Sequence, residues 1–306
     1  MGNIAIMFSG QGAQHTGMGK DLYENSLAAR AVFDLAEAIR PGTIEQCFTG
    51  SAETLARTEN TQPCVFCVDL AAAAALSEAG IEADMLAGFS LGELAALAFS
   101  GVVTYEDGFR LVCRRAELMQ MASEKVDAGM VAVLKLSDEV VTELCGGFEN
   151  VYPVNFNCPG QVVVAGARDE LERLKDSVKD AGGKAMPLKV GGGFHSPFMA
   201  PAGSAFVEVL GTFEFAEPKV PLYSNVTAKH YENNAAELLA KQITSPVLWH
   251  AAVQNMINAG VDTFIEAGPG KTLCGFASRI SDKVRVHNVE DFESLQKTVE
   301  GVKSGV

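Results

Sequence analysis

Asp84-Met85-Leu86-Ala87-Gly88-Phe89-Ser90-Leu91-Gly92-Glu93 reads as three pieces in succession. Residues 84–88 form a short buried strand, a glycine-bounded turn follows, and an alanine-rich helix begins. Gly88-Phe89-Ser90-Leu91-Gly92 is a G-x-S-x-G pentapeptide. Its glycines permit the cramped strand-to-helix turn that lifts a serine hydroxyl above a sheet edge. The same turn aims the Leu91 N–H, at a helix N-terminus, toward the place where an oxyanion would form. A glycine-bounded helix start capped by serine would show the same five letters, but the strand-turn-helix setting favours Ser90 as a nucleophile. Strand, tight turn and helix in sequence also set the fold class: an α/β layer with parallel strands.

Outward from this stretch, residues 3–8 (NIAIMF) read as another buried strand, running into the glycine-rich turn Ser9-Gly10-Gln11-Gly12-Ala13-Gln14. Helical segments are expected around 21–39 and 65–79. The middle changes character. Strands at 129–136, 151–157, 160–166 and 185–190 alternate with helices at 137–146, where Ser137 is a plausible N-cap, and 168–181. The order β-α-β-β-α-β matches a ferredoxin-like unit. It is expected as a subdomain over 126–190, inserted between a first part of the large domain (1–125) and a second (191–306). Further on, a strand at 262–266 ends at Ala267-Gly268-Pro269-Gly270, and 291–302 reads as the last helix.

The bulk numbers narrow the function. With 306 residues and 48% apolar composition the chain can bury a substantial core. At 20% charged residues and without low-complexity segments, wholesale disorder is not expected. A net charge of −14 argues against non-specific binding to nucleic acid or to an anionic membrane surface. The seven cysteines include one C-x-x-C, Cys64 and Cys67, in an apolar run with no second pair to complete a zinc site. They read as buried reduced thiols, which suits a reducing cytosol. No signal or transit peptide is visible, and the alanine-rich stretch from Leu70 to Leu76 is too short to span a bilayer. Gly10 to Gln14 lacks the Walker lysine and the dinucleotide spacing, Gly268-Pro269-Gly270-Lys271 is no P-loop, and no histidine and carboxylate cluster has metal spacing. No metal is expected.

A serine nucleophile needs a base. Of five histidines, His195 follows a glycine run at the junction of the two proposed domains, where clefts form. Spacing alone leaves His195 evenly poised between base and polar-loop residue, with His15 near the first glycine-rich turn as its rival. His230 reads as surface, and His250, after Trp249, as a cap on a packed helix end. Tyr105 to Ala122 reads as a helix whose wheel puts Arg114 toward water and Arg115 in the middle of the apolar face. A guanidinium stays charged, so an inward one needs an anionic partner. An internal carboxylate and a substrate carboxylate fit the wheel equally well.

Taken together, eight motifs in order resemble the malonyl-CoA:acyl-carrier-protein transacylases of fatty acid synthesis and the acyltransferase domains of polyketide synthases. They are GQGAQ (10–14), TQP (61–63), GFSLGE (88–93), CRRAELMQ (113–120), NFNCPGQVVVAG (155–166), GGFHSPFM (192–199), KQITSPVLW (241–249) and EAGPGKTL (266–273). The resemblance covers essentially the whole chain. It implies an α/β-hydrolase-like large domain with an inserted ferredoxin-like subdomain. It implies Ser90 as the acylated nucleophile, His195 as its base and Gln242 as the group orienting the histidine. It also implies an oxyanion hole of the Gln11 and Leu91 N–H groups, and Arg115 as the grip on a malonyl carboxylate. The substrates would be malonyl-CoA and the phosphopantetheine thiol of an acyl carrier protein, with no tightly bound cofactor. No nucleic acid or membrane partner is implied, the default state is a monomer, and the expected compartment is the cytoplasm. Phe89 stands where the family often has histidine, which alters the pocket wall and leaves the hydroxyl intact. Phe194 before the histidine points to malonyl rather than methylmalonyl. Carrier docking would need a local basic patch; Lys271, Arg279, Lys283 and Arg285, or Lys184 and Lys189, are candidates, though for any one of these residues a solvated face is the favoured reading. The rival readings are a hydrolase of the esterase or thioesterase kind, a non-catalytic scaffold, and an acyltransferase loading a different unit.

Overall fold

A continuous apolar run makes a strand that must be covered on both faces, and Asn3–Phe8 (β1) is buried from Ile4 onward. In a computed structural model describing residues 2–305, β1 is the central strand of a five-stranded sheet. Its neighbours are Met85–Gly88 (β2) on one side and Val261–Ala267 (β8) on the other. Leu222–Tyr223 (β7) and Arg285–Val289 (β9) form the edges, giving the order β7-β2-β1-β8-β9 with every pair parallel. The sheet is covered by helices, among them Thr58–Glu78, buried along nearly all its length, and Gly92–Phe99, which leaves the serine turn.

The remaining strands are Ala128–Leu134 (β3), Val151–Cys158 (β4), Gln161–Ala167 (β5) and Lys184–Pro187 (β6). They make a second, antiparallel sheet in the order β4-β5-β3-β6. Helices Asp138–Cys145 and Arg168–Asp180 pack Val141, Leu171, Leu174 and Val178 against Val133 and Val164. Chain order and strand order are those of a ferredoxin-like unit, so the fold is a large α/β part carrying a small antiparallel subdomain. Ser137 caps its helix by accepting from Val140 N. The subdomain is stitched to the large part: Phe156 N–H donates to Val247 O, and Val247 N–H to Val154 O, Val247 lying just before helix Trp249–Asn258. Arg279 adds bonds to Gln161 Oε1 (2.6 Å) and Pro159 O (2.8 Å).

Some local expectations change. The helix expected at 21–39 is two, Lys20–Asn25 and Leu27–Ile39, because Ser26 is extended and its hydroxyl caps Ala29 N. The helix expected to begin at 65 begins at Thr58 and carries Pro63 inside it. The strand expected to run to 190 ends at Pro187. The seven cysteines are free thiols. Among the described residues, no helix is long and apolar enough to cross a membrane.

Candidate active site

Ser90 sits where β2 turns into helix Gly92–Phe99, with φ of 55°, a backbone conformation uncommon for a residue with a side chain. The chains on either side leave no room for anything but glycine. A Cβ on Gly88 would stand 2.0 Å from Gly92 C, and one on Gly92 would stand 2.3 Å from Phe8 O. Asn225 holds the turn: its Oδ1 accepts from Ser90 N (2.7 Å) and its Nδ2 donates to Gly88 O (2.7 Å). Leu91 is at the N-cap position of the helix, so its N–H is one of the donors a helix leaves without an internal acceptor. Gln11, from the turn after β1, lines the same cavity as Ser90.

His195 is buried, also at positive φ (61°), and its Nε2 lies 2.7 Å from Ser90 Oγ. Its Nδ1 lies 2.8 Å from the main-chain oxygen of Gln242. A carbonyl oxygen only accepts, so Nδ1 carries the hydrogen and Nε2 presents its lone pair to the serine. Burial holds the imidazole down to about 4, helped by the charge of Arg115 and opposed by the Gln242 carbonyl. The ring is therefore neutral at pH 7 and ready to take a proton. His15 is exposed beside Glu290, His250 faces Asp138 and His230 stacks on Tyr223; among the described residues His195 is the histidine that reaches the serine.

Arg115, from helix Tyr105–Ser123, is fully buried. Its Nη1 donates to Gln62 Oε1 (2.7 Å), and its Nη2 donates to Gln242 Oε1 (2.6 Å) and Ser90 Oγ (3.2 Å). Its Nε has no partner. Each of these partners is neutral, and no carboxylate touches the guanidinium among the described residues. Burial lowers it to about 10, with the charge of Glu93 pulling the other way, so it stays cationic.

Behind these groups lies Glu93, fully buried on helix Gly92–Phe99. It accepts from Asn225 N (2.9 Å), Tyr231 OH (2.7 Å) and Gln242 Nε2. Burial raises its carboxyl to about 7 against the pull of these donors and of Arg115. A cavity of about 70 Å³ beside Ser90 is walled by Met119, Met130, Val190, Phe194 and His195. It adjoins a second, of about 200 Å³, between the two sheets. On that second cavity Asn155 Oδ1 and Asn157 Oδ1 are buried without a donor. Phe89 lines both and packs on Trp249 at 5.4 Å between ring centroids. Of the basic residues singled out in the sequence, Arg279 is spent on the β4–β5 turn and Arg285 pairs with Asp262.

Ser90, His195, Gln242 and Arg115 thus meet at one point, with Gln11, Leu91 and Phe194 around it. Gln242 meets the histidine through its main chain, while its side chain links Arg115, Ser90 O (2.8 Å) and Glu93. Sequence reasoning missed Asn225, Glu93, Gln62 and Tyr231. Local signals existed for two of them: Gln62 and Glu93 lie in the TQP and GFSLGE motifs, and Glu93 is a charge opening an otherwise apolar helix one turn past the serine.

Residues 6–298 match the family described as acyl transferase domain. The chain is 36% identical over 311 residues to the malonyl CoA-acyl carrier protein transacylase of Bacillus subtilis, covering 99% of this chain and 98% of that protein. It is 35% identical over 304 residues to the same-named protein of Staphylococcus aureus strain MSSA476, covering 97% and 98%. Among solved structures it is similar to malonyl CoA-acyl carrier protein transacylase from Clostridium perfringens, with a TM-score of 0.95, 36% identity and coverage of 99% and 98%. It is also similar to a malonyl-transacylase in complex with a type II polyketide-synthase acyl-carrier protein, with a TM-score of 0.94, 33% identity and coverage of 98% and 99%.

Proposed function

This chain belongs to the acyl transferase family, and on that premise we propose that it moves a malonyl group from malonyl-CoA to the phosphopantetheine thiol of an acyl carrier protein, in fatty acid or polyketide synthesis. The observation that carries this reading is Arg115. It is a buried cation with neutral partners, 3.2 Å from the serine hydroxyl. Among the described residues no carboxylate touches the guanidinium and its Nε has no partner, so it has donors to spare for the distal carboxylate of a malonyl ester on Ser90 in a two-point, charge-assisted contact.

The reaction is ping-pong. His195 Nε2 takes the proton as Ser90 Oγ bonds to the thioester carbon, and the oxyanion is received by the Gln11 and Leu91 N–H groups. The carbon–sulfur bond breaks, the proton passes from His195 to the departing CoA thiolate, and a malonyl ester remains. The carrier thiol then gives its proton to His195, attacks the ester and leaves as the malonyl thioester, returning the proton to Ser90. The pantetheine arm would lie in the cavity between the sheets, where the orphaned Asn155 and Asn157 oxygens offer acceptors for its amide N–H groups. Phe194 and the two methionines close the acyl end, which suits malonyl over a branched unit. In this reading the protein works as a cytoplasmic monomer without a tightly bound cofactor. A hydrolase triad is less well supported, because the third partner is a carbonyl rather than a carboxylate.

Intact-protein mass spectrometry after brief incubation with malonyl-CoA tests the reading. A malonyl adduct on the wild type that is absent from Ser90→Ala and cleared by holo carrier protein is expected. An adduct cleared equally fast by water alone would replace the transferase with a hydrolase.

A further inference from the structure

Glu93 touches neither the serine hydroxyl nor the histidine, yet three donors converge on it from two segments: Asn225 N–H and Tyr231 OH on Oε1, Gln242 Nε2 on Oε2. Two of those donors belong to residues that also hold the reacting groups. Asn225 fixes Ser90 N and Gly88 O. The main-chain oxygen of Gln242 fixes His195 Nδ1, and its side-chain oxygen accepts from Arg115. The polarity along the last path is unbroken. Arg115 donates to the Gln242 oxygen, and the Gln242 nitrogen donates to Glu93, so one amide bridges a buried guanidinium and a buried carboxylate. Three donors and no acceptor face this carboxyl, so a proton on it would find nothing to bond, and these contacts favour the ionised form against the burial that opposes it.

We propose that Glu93 is a positioning residue for acyl transfer: as a carboxylate it is the counter-charge of Arg115, relayed through the Gln242 amide, and it clamps the Ser90 turn and the His195 support into one network. The placement frees Arg115. A direct ion pair would occupy the guanidinium, whereas a bridged one balances its charge and leaves donors for a substrate carboxylate. The link to malonyl rests on the proposed function above; the clamp on Ser90 and His195 does not.

The charged and titratable groups facing Glu93 are Arg115, Tyr231 and, beyond Gln242, His195. Arg115 lies at about 10, Tyr231 is pushed well above its ordinary value by burial, and His195 lies at about 4. Between them only Glu93, at about 7, changes charge. Protonation below that point removes the charge that balances Arg115 and weakens the three contacts of the clamp, so Ser90 reactivity falls as pH falls through it. The test measures two rates of Ser90 modification from about pH 5.5 to about pH 8.5: by malonyl-CoA, and by phenylmethylsulfonyl fluoride, which needs no carboxylate grip. In Glu93→Gln the amide sets an N–H₂ against a donor, so both maximal rates are expected to fall roughly 10- to 100-fold, with the KM for malonyl-CoA little changed and the acid limb abolished. Tyr231→Phe keeps the carboxylate and removes one donor, so the acid limb should move to higher pH; this decides the matter if Glu93→Gln does not fold. Acid limbs that coincide with the wild type in the variants that fold would overturn the proposal. A wild type that reacts with the sulfonyl fluoride, shows the limb and ignores malonyl-CoA would sink the malonyl reading and leave the positioning role standing.

Discussion

Arg115 shows what one side chain can reveal at the residue scale. Its place on the apolar face of a helix follows from period alone, and Arg114 beside it is exposed in an ion pair with Glu117. The wheel could not choose its partner, because Gln62 and Gln242 lie 53 and 127 residues away in the chain. The same distance hid Asn225, which grips a serine 135 residues before it. Ser90 and His195, by contrast, sit in short glycine-marked stretches whose local shape is written in adjacent residues. If the Arg115 fork grips the malonyl carboxylate, Arg115→Ala should lower kcat/KM for malonyl-CoA by roughly 10- to 150-fold, the worth of a charge-assisted contact. Acetyl-CoA lacks that carboxylate and should lose far less. Competing the two thioesters for Ser90 in the variant measures the ratio directly, and an unchanged ratio would remove Arg115 from recognition.

At the element scale, the serine turn is a packing constraint between β1, β2 and the helix that follows. Gly92 lets that helix approach the end of β1 so closely that any side chain would meet Phe8 O and Ser9 O. Gly92→Ala must push the helix off the sheet, at a cost of about 1–3 kcal/mol for forced overpacking. The urea midpoint is expected to drop accordingly, and Ser90 acylation to drop further, since the turn that aims the hydroxyl moves with the helix. An undisturbed midpoint would mean that the approach is looser than described. Elements bounded by strong local signals were legible: β1, β2, β3 and the capped helix after Ser137. Elements set by tertiary contacts were not. β7 is two residues long and β9 (RVHNV) is a half-exposed edge strand without a clean alternation. The break at Ser26 depends on a hydroxyl choosing to cap Ala29 rather than continue a helix.

At the scale of the whole molecule, parallel order is the least legible property, since β1 pairs with a strand more than 250 residues later. That pairing brings together two carboxyls no local pattern connects. Asp69, on helix Thr58–Glu78, is fully buried with neither oxygen partnered, and its Oδ1 stands 1.9 Å from where a Cβ on Gly268 would be. Glu266, on β8, is buried nearby, held by Ser9 Oγ (3.4 Å) and Cys274 N (2.8 Å). Burial pushes Asp69 well above the usual carboxylate range, and the charge of Glu266 pushes the same way. The folded state therefore keeps a proton that the unfolded chain releases above roughly pH 3.9, and the contribution of Asp69 to stability falls as pH rises, by about 1.4 kcal/mol per unit, until Asp69 itself ionises. Asp69→Asn is neutral at every pH and should lose that slope. Urea unfolding at intervals from about pH 5 to about pH 8 should find the variant gaining on the wild type as pH rises. A difference between the two proteins that stays constant across that range would mean that Asp69 is ionised in the fold and paired by something other than its own proton.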